Sequence, residues 1–197
     1  MDYFEDKIEF EEDITLDDRD EDWKPMQLQR GAYKEVDDIS EAFAYDNNYP
    51  QEGLSRSDFE WVSFNQSDFC RQHLSFINIV SSEFRYSDFS SANLIGSYLR
   101  FSDFYGASFH SADLEYSEIG RCNLSSVDLS SANLQGAKLY KTDFSSCDLQ
   151  GTNLIDCVIE DCKFKGAFFD ERTYLPFKHG RALDLGMVFV PDFLSAG

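Results

Sequence analysis

The stretch that decides the fold is residues 87–116, which read SDFSSANLIGSYLRFSDFYGASFHSADLEY. Within it an apolar residue recurs every five positions, at Phe89, Leu94, Leu99, Phe104, Phe109 and Leu114. The same phase runs unbroken through 23 positions, from Phe59 to Phe169, and every one is Phe, Leu or Ile. Leu54 fits the phase as one position more. This regularity predicts a repetitive domain over residues 54–173.

A spacing of five suits neither an α-helix nor a flat β-strand, whose side-chain periods are 3.6 and 2. Residues five apart on a helix point about 140° away from each other, so they do not share a face. The stretch is also rich in Ser, Asp and Asn, which compete with helical hydrogen bonding. That composition would suit disorder, but 23 phased apolar residues do not. The pattern favours a packed solenoid.

A second period of 20 residues supports this interpretation, because Phe is concentrated in two of every four repeats. One column reads Phe64, Phe84, Phe104, Leu124, Phe144 and Phe164, and the next reads Phe69, Phe89, Phe109, Leu129, Leu149 and Phe169. The residue two places before each centre is mostly Ser, Ala, Thr or Cys. This arrangement predicts a four-sided coil, with about six coils and a rod of roughly 28 Å at about 4.8 Å per coil.

The segments SANLI (91–95), SADLE (111–115), SANLQ (131–135), GAKLY (136–140), CDLQG (147–151) and TNLID (152–156) resemble the A(D/N)LXX unit of the pentapeptide-repeat family. The resemblance extends from residue 54 to about residue 170. It implies an all-β, right-handed quadrilateral β-helix. Members of the family that confer quinolone resistance in Gram-negative bacteria carry loops that this chain lacks.

The charge of the chain excludes some classes of partner. The 197 residues include 37 acidic and 17 basic side chains, a net charge of −20, and residues 1–53 alone carry 18 acidic and five basic ones. A nucleic-acid-binding protein needs a basic face, and an anionic membrane attracts one. The N-terminus, MDYFEDKIEFEED, lacks a basic n-region and an apolar h-region. We expect a cytoplasmic protein that binds neither nucleic acid nor membrane.

No catalytic or metal-binding pattern stands out. The five cysteines include no CxxC pair, and the three histidines are scattered. Cys157 and Cys162 both occupy the small inward position, so we interpret them as core residues. The corner position, two after a centre, is Gly in five repeats, and we attribute this to the turn. The sequence therefore predicts a protein that is not an enzyme and has no cofactor and no metal.

Carboxylates precede the centres on two neighbouring columns. They are Asp68, Asp88, Asp128 and Asp148 on one, and Glu83, Asp103 and Asp143 on the other. The family resemblance implies that such acids imitate DNA and occupy the DNA site of a type II topoisomerase such as DNA gyrase, to inhibit or protect it. The simpler alternative is that Asp and Asn are the default residues of this repeat and bond the local backbone. Sequestration of a small molecule or cation is a weaker third hypothesis.

Several aromatic residues are expected to point outward on two other adjoining faces, and exposed aromatic side chains need a cover or a partner. They include Trp61, Phe76, Tyr98, Phe101 and Tyr116. One hypothesis is that part of residues 23–53 docks there or over the first coil, with residues 33–45 helical; a flexible acidic tail is the alternative. A second hypothesis is that the chain is an interaction, immunity or resistance protein, which binds one protein partner through residues 1–53 or through these aromatic faces.

Residues 174–197 break the five-residue phase. A short helix is predicted around Lys178–Leu185, followed by an apolar stretch at Met187–Val190. One interpretation is a cap that covers the last coil, since solenoids need capped ends. The family resemblance also implies a homodimer that joins end to end through this segment, and the two interpretations are compatible.

Overall fold

A computed structural model describes residues 27–28 and 54–191. Its main sheet has seven short parallel strands in chain order. These are β1 (Gln27–Leu28), β2 (Asp58–Glu60), β3 (Asn78–Val80), β4 (Tyr98–Arg100), β5 (Glu118–Gly120), β6 (Lys138–Tyr140) and β7 (Val158–Glu160). From β2 to β7 each residue pairs with the one 20 positions further on, as Phe59 does with Ile79. The predicted all-β solenoid is confirmed.

The coil has four faces, named A to D in chain order. Face A contains β2 to β7, and face B, face C and face D are centred in the first coil on Phe64, Phe69 and Leu74. Coil 1 is residues 57–76, and each later coil starts 20 residues further on. Isolated parallel bridges connect successive coils on faces B, C and D, such as Asp68 to Asp88 on face C. Faces A and C therefore lie on opposite sides of the rod.

The core is a set of side-chain ladders inside the coil. Every centre from Leu54 to Phe169 is buried except Ile159, which packs partly exposed against the same core. On face C the ring of Phe89 stacks between those of Phe69 and Phe109, with centroid distances of 4.6 and 4.8 Å. Stacked rings at this spacing favour the parallel register, because each side chain packs against its equivalent in the next coil.

At several positions the small inward residue two places before a centre hydrogen-bonds through its side chain to the preceding coil. The Ser87 hydroxyl donates to the carbonyl oxygen of Phe64 at 2.6 Å, and the Thr152 hydroxyl donates to that of Leu129 at 2.7 Å. The Cys147 thiol donates in the same way to the carbonyl of Leu124. Cysteine therefore takes the place of serine here. Cys157 and Cys162, in coil 6, pack against the core but are only half-buried.

The corners correct one sequence-based interpretation. Eighteen residues other than glycine adopt a positive φ at the corner position, among them Trp61 (58°) and Arg121 (55°). The turn therefore accepts L-residues and does not require glycine, although each such residue bears some strain. Glycine has another role at three corners, where an aromatic ring from the preceding coil lies over it. A Cβ at Gly96 would stand 2.6 Å from the ring of Phe76, and one at Gly136 would stand 2.6 Å from the ring of Tyr116.

The repeat slips by one residue after Phe169, because Asn153 pairs with Tyr174, 21 positions on. The buried carboxylate of Asp170 accepts a hydrogen bond from the N–H of Gly151 at 2.9 Å, and another from the N–H of Arg172 at 3.0 Å. Burial raises the pKa of Asp170, but the hydrogen bonds from Arg172, Gly151 and Thr173 outweigh it, so that this pKa is lowered. A side chain thus replaces the backbone carbonyl that the regular repeat supplies.

The C-terminal end is closed by a helix and one more strand pair. The helix α1 (His179–Asp184) begins after Lys178 and ends before Leu185, which confirms the predicted helix, and its Ala182 is buried. The strands β8 (Phe168–Phe169) and β9 (Val188–Phe189) pair in parallel and add a rung on face C. This arrangement suits the predicted cap.

Within the described residues no helix has the length and apolar character needed to cross a membrane. The predictions for residues 1–53 concern a region of which only β1 is described, and the helix predicted at residues 33–45 lies outside the described residues. The pairing of Leu28 with Phe59 places β1 beside the first coil. The domain boundaries at residues 53 and 173 remain predictions.

Candidate functional site

Four aspartates occupy one position on face C. Asp68, Asp88, Asp128 and Asp148 precede the face C centres of coils 1, 2, 4 and 5, and Ser108 takes the position in coil 3. Parallel bridges join these positions in series, so neighbouring aspartates are about 4.8 Å apart along the rod, except Asp88 and Asp128, which are about 9.6 Å apart with Ser108 between them. The structure therefore brings the predicted set into one row, which we call the face C row.

Each carboxylate of the face C row has a fixed orientation. Its Oδ1 accepts the backbone N–H two residues further on, at 2.7 Å for Asp68 and 2.8 Å for Asp88. The distances are 2.9 Å for Asp128 and 3.0 Å for Asp148. This bond holds Oδ1 against the turn and leaves Oδ2 as the oxygen available to a partner. In Asp148 that second oxygen already accepts from the Gln150 amide at 3.2 Å.

The fold requires an acceptor at this position but not a charge. Asn93, Asn133 and Asn153 make the same bond with their side-chain oxygens, at 3.1 to 3.2 Å. Local backbone bonding therefore explains why Asp or Asn precedes the centre, as the simpler sequence interpretation proposed. It does not explain why face C has Asp in four of its first five coils.

The predicted acids of face B are partly neutralised. Asp103 forms an ion pair with Arg85 at 2.6 Å, and Asp143 forms one with Lys163 at 3.2 Å. Lys163 follows Asp143 in the same row, one coil further on. Burial raises the pKa of Asp143, but hydrogen bonds from Ser145 and Lys163 outweigh it and lower this pKa. Glu83 is exposed and accepts from Ser63 at 3.2 Å.

The face C row differs from face B in its partners. None of its four aspartates forms an ion pair with any residue that the structure describes. The strongest uncompensated negative charge of the predicted set therefore lies on face C.

The predicted aromatic residues lie on both sides of face A. Trp61 and Phe101, at the corner between faces A and B, are 63% and 54% exposed. Phe76 and Tyr116, at the corner between faces D and A, are 48% and 64% exposed. Tyr98 is only half-buried in β4, and the Arg100 guanidinium lies 5.3 Å from its ring centroid. The structure thus forms two separate aromatic corners, with Tyr98 on the face between them.

A third aromatic pair was missed from the sequence. Tyr86 and Tyr105 meet edge to face at the corner between faces B and C, with centroids 5.5 Å apart. Both are exposed, and a Cβ at Gly106 would stand 2.7 Å from the Tyr86 ring. The signal was available, since Tyr86 occupies the same corner position in its repeat as Trp61 and Phe76 do in theirs.

Face C also brings His110, Ser130 and Asp128 together. The His110 Nδ1 lies 2.8 Å from the Ser130 hydroxyl oxygen, and that hydroxyl donates to Asp128 at 2.6 Å. The order of the bonds is wrong for a catalytic triad, in which histidine lies between the acid and the nucleophile. The three residues form a polar surface cluster.

Potential metal ligands converge once within the described residues, at Asp68, Cys70 and Asp88, whose ligand atoms lie within 4.8 Å of one another. Three thiols that lie in the core or pack against it are poor nucleophiles and poor ligands. Burial raises the pKa of Cys122, Cys147 and Cys157 to about 12 in each case. A thiol with such a pKa stays protonated at neutral pH, so these cysteines act as core residues.

Parallel pairing at a constant spacing, four inward ladders and short corners define a parallel β-helix of quadrilateral cross-section. A family model described as pentapeptide repeats matches the chain in eight copies, over residues 82–117, 111–145, 122–161 and 138–171. Residues 82–171 of this solenoid therefore consist of pentapeptide repeats, as the sequence resemblance implied.

Solved structures that are similar to the chain include three from different sources. A pentapeptide repeat protein (Rfr23) from the cyanobacterium Cyanothece 51142 is 19% identical, with 60% of this chain and 84% of that one covered and a TM-score of 0.33. A thylakoid-lumen protein from Arabidopsis thaliana is 22% identical, with 73% and 83% covered and a TM-score of 0.35. QnrB1, a plasmid-mediated fluoroquinolone resistance protein, is 17% identical, with 71% and 96% covered and a TM-score of 0.41. No curated protein sequence matches the chain.

Proposed function

We propose that this protein is a non-enzymatic protein-binding rod that presents the face C row to a basic, DNA-binding protein as a mimic of DNA. The observation that carries the proposal is that Asp68, Asp88, Asp128 and Asp148 are aligned, held by the backbone and free of cationic partners among the described residues. Glu83, Asp103 and Asp143 on face B contribute less, because two of them are already paired.

The physical argument is electrostatic. A DNA-binding surface presents Lys and Arg at intervals that match phosphates, which lie about 3.4 Å apart along each strand. Carboxylates about 4.8 Å apart, with one gap of about 9.6 Å at Ser108, give the face C row about half the charge density of one DNA strand. Because the hydrogen bond to Oδ1 fixes each side chain beforehand, little rotamer entropy is lost on binding. Such an interface is expected to weaken as salt is added.

The pentapeptide-repeat resemblance makes a type II topoisomerase the first partner to test, and DNA gyrase the first example. A cytoplasmic location, as expected from the sequence, would give access to that partner. The rod would occupy the DNA-binding saddle of the enzyme, and would inhibit it or protect it from agents that act on the DNA complex.

The test is a gyrase supercoiling assay with the full chain at two salt concentrations. The key variant is D68N/D88N/D128N/D148N, because Asn keeps the turn hydrogen bond, as Asn93 and Asn133 do, and removes four charges. Its matched control is E60Q/D156N/E160Q/D161N, which removes four charges from exposed side chains on face A and its corners. The proposal predicts that the unmodified protein and the control inhibit equally, that added salt weakens both, and that the key variant does not inhibit.

Two outcomes would contradict the proposal. Equal inhibition by the key variant and the control would mean that the face C row is not the contact surface. An unmodified protein that neither inhibits nor binds gyrase at high micromolar concentration would exclude this partner.

The C-terminal end is the proposed site of a homodimer. The outer edge of β9 has no strand beside it among the described residues, and Leu183, Val188 and Phe189 are 55%, 43% and 39% exposed. Two ends of this kind could pair and bury their apolar side chains. Analytical ultracentrifugation tests this, because L183D/F189D is expected to be monomeric under conditions in which the unmodified protein is a dimer. A monomer at all concentrations would overturn the dimer.

Exposed aromatic side chains favour a second candidate function, that of an interaction or immunity protein that contacts its partner through the corner between faces D and A. Phe76 and Tyr116 are large and exposed and lie over glycines of the next coil, and large exposed aromatic side chains are typical interface anchors. The gyrase assay separates the two functions. F76S/Y116S is expected to inhibit normally if face C is the contact, and to lose inhibition if the aromatic corner is.

A further inference from the structure

A second surface stands at the corner between faces A and B, and we call it the A–B ridge. In coils 1 to 5 its corner residues are Trp61, Ser81, Phe101, Arg121 and Lys141. All of them except Ser81 are exposed. The ridge is therefore aromatic toward the N-terminal end of the rod and basic toward the C-terminal end, and Asp161 follows it in coil 6.

The two cations of the ridge lack anionic partners. The Arg121 guanidinium lies 5.4 Å from the ring centroid of Phe101, a cation–π contact. Neither Arg121 nor Lys141 forms an ion pair with any described residue, and they are neighbours on the same corner in successive coils. In a chain with a net charge of −20, two adjacent unpaired cations on an aromatic ridge fit an acidic ligand.

In the aromatic half of the ridge a small residue separates two large exposed side chains, and we call its position the notch. Ser81 is a small residue between Trp61 and Phe101, whose backbone positions are two coils, or about 9.6 Å, apart. A gap of this width between two large side chains can receive one aromatic ring, since aromatic rings pair at about 4.5 to 7 Å between centroids. The ridge is therefore suited to a ligand in which an aromatic residue is followed, along the rod, by carboxylates.

The chain itself contains such a ligand. Residues 1–22 have 12 acidic and two basic side chains, and within them Phe10 is followed directly by Glu11, Glu12 and Asp13. In an extended chain Asp13 lies about 10 Å beyond Phe10. The distance from the notch to Arg121 is two coils, which is about the same. We propose that the segment Phe10–Asp13 docks in cis on the A–B ridge. Phe10 occupies the notch, and the carboxylates of the segment pair with Arg121 and Lys141.

The connection between the segment and the ridge is long enough. β1 pairs with β2 at the N-terminal end of face A, beside the first coil of the ridge. Asp13 and Gln27 are separated by 14 residues, which span up to about 46 Å when extended. From β1 to Lys141 is five coils, or about 24 Å. Because the tether is short, the effective concentration of the segment is in the millimolar range, so a weak contact is enough for docking.

The test uses the full chain with Trp23→Phe, so that Trp61 is the one remaining tryptophan and reports on the notch. Acrylamide quenching of Trp61 is measured for E11K/E12K/D13K, for F10A, for R121E/K141E, and for the two charge reversals combined. The proposal predicts a severalfold rise in the quenching constant for each of the first three variants. The combined reversal is expected to restore protection, because it rebuilds the ion pairs with opposite signs.

Matched controls separate docking from a general effect of charge. D17K/D18K/D20K changes three nearby acids, and R71E/K178E changes two exposed cations elsewhere on the rod. Both are expected to leave the quenching of Trp61 unchanged. Circular dichroism of each variant shows whether the β-helix is intact, and the combined reversal keeps the test decisive if a single reversal unfolds the chain.

The proposal would be overturned if Trp61 is fully accessible in the Trp23→Phe protein, or if the combined reversal fails to restore protection. Protection that grows with protein concentration would show that the segment binds a second copy, which overturns docking in cis. The experiment needs no gyrase and does not involve face C, so its outcome is independent of the proposed function.

Discussion

The inner ladder of face C differs between its first three coils and the next two. In coils 1 to 3 the centres are phenylalanines, and the inward residues two places before them are Ser67, Ser87 and Ala107. In coils 4 and 5 the centres are Leu129 and Leu149, and the inward residues are Val127 and Cys147. Coil 6 returns to the first pattern, with Ala167 before Phe169.

The difference shows that the unit of packing on this face is a pair of residues. Where the centre is large its inward partner is small, and where the centre shrinks to Leu its partner grows, so the pair fills a similar volume. The compensation is nearly complete. The space left in the middle of the rod is too small to hold a water molecule, and it is bounded by Leu99, Phe109, Leu114, Ile119, Leu124, Leu129 and Phe144.

The largest effect is expected from removing a ring in the phenylalanine coils. Phe89→Ala deletes a side chain that stacks on rings above and below it, and is expected to cost about 3 to 5 kcal/mol of unfolding free energy. Leu129→Ala in the leucine coils lacks these stacking contacts and should cost less. Urea denaturation of the two variants checks the order, and a larger loss for Leu129→Ala would contradict the stacking argument.

A double-mutant cycle tests the pair directly. Leu129→Phe alone overpacks coil 4 and should cost about 1 to 3 kcal/mol, while Val127→Ala alone leaves a cavity of similar cost. Together they reproduce the Ala107 and Phe109 pair of coil 3, so the double variant should be nearly as stable as the unmodified protein. Additive losses in denaturant unfolding would show that the two positions pack independently.

The two regions should also differ in their response to alkaline pH. An unfolded thiol ionises near pH 8.5, whereas burial raises the pKa of Cys122 and Cys147 to about 12. Between these values the unfolded state releases protons that the folded state retains, so stability falls as pH rises. Each thiol is expected to cost about 2 kcal/mol at pH 10, because each pH unit above 8.5 removes about 1.4 kcal/mol.

The serines of coils 1 to 3 do not titrate in this range and provide the control. Cys122→Ser/Cys147→Ser keeps a donor for the carbonyl oxygens of Leu99 and Leu124, which the thiols now contact. Thermal unfolding from pH 7 to pH 11 should therefore fall less steeply in this variant. An unchanged slope would assign the alkaline loss to other groups.

The smallest effect concerns the outer surface of the later coils. Gly136→Ala and Gly151→Ala both place a methyl group at a positive φ, which costs about 1 kcal/mol for backbone strain. Only the first also displaces a ring, that of Tyr116, and because that ring is exposed it can move away cheaply. We expect Gly136→Ala to be the less stable by a few tenths of a kcal/mol in thermal unfolding. Equal losses would mean that the contact of the Tyr116 ring with Gly136 does not contribute to stability.

The repeat could be predicted from the sequence because its two periods are local and unbroken. Twenty residues bring the chain back to the same face, so the alignment of Asp68 with Asp88 followed from counting alone. The outward positions of Trp61, Phe101 and Tyr116 followed in the same way. Counting also identified the short helix near the C-terminus, where the phase stops and Ala182 and Leu185 face the last coil.

Contacts between long side chains could not be predicted by counting. Arg85 reaches Asp103 across 18 residues, and Lys163 reaches Asp143 across 20, because each side chain leans toward the neighbouring coil. The bond from the N–H of Gly151 to Asp170 depends on the one-residue slip, which a strict period cannot anticipate. The contact between Gly96 and the Phe76 ring was missed, because the sequence interpretation attributed glycine at the corner to the turn alone.

Because the register is constant at 20 residues, the length of an insertion or deletion determines whether the surface rows stay aligned. Removing 20 residues would shorten it by one coil and leave every row continuous. Removing five would keep the five-residue phase, so the core would still accept the chain, but all later residues would turn by one face. A row such as Asp68, Asp88, Asp128 and Asp148 would then be cut and continued around the corner. Length can therefore vary in steps of whole coils, while the surfaces tolerate no smaller step.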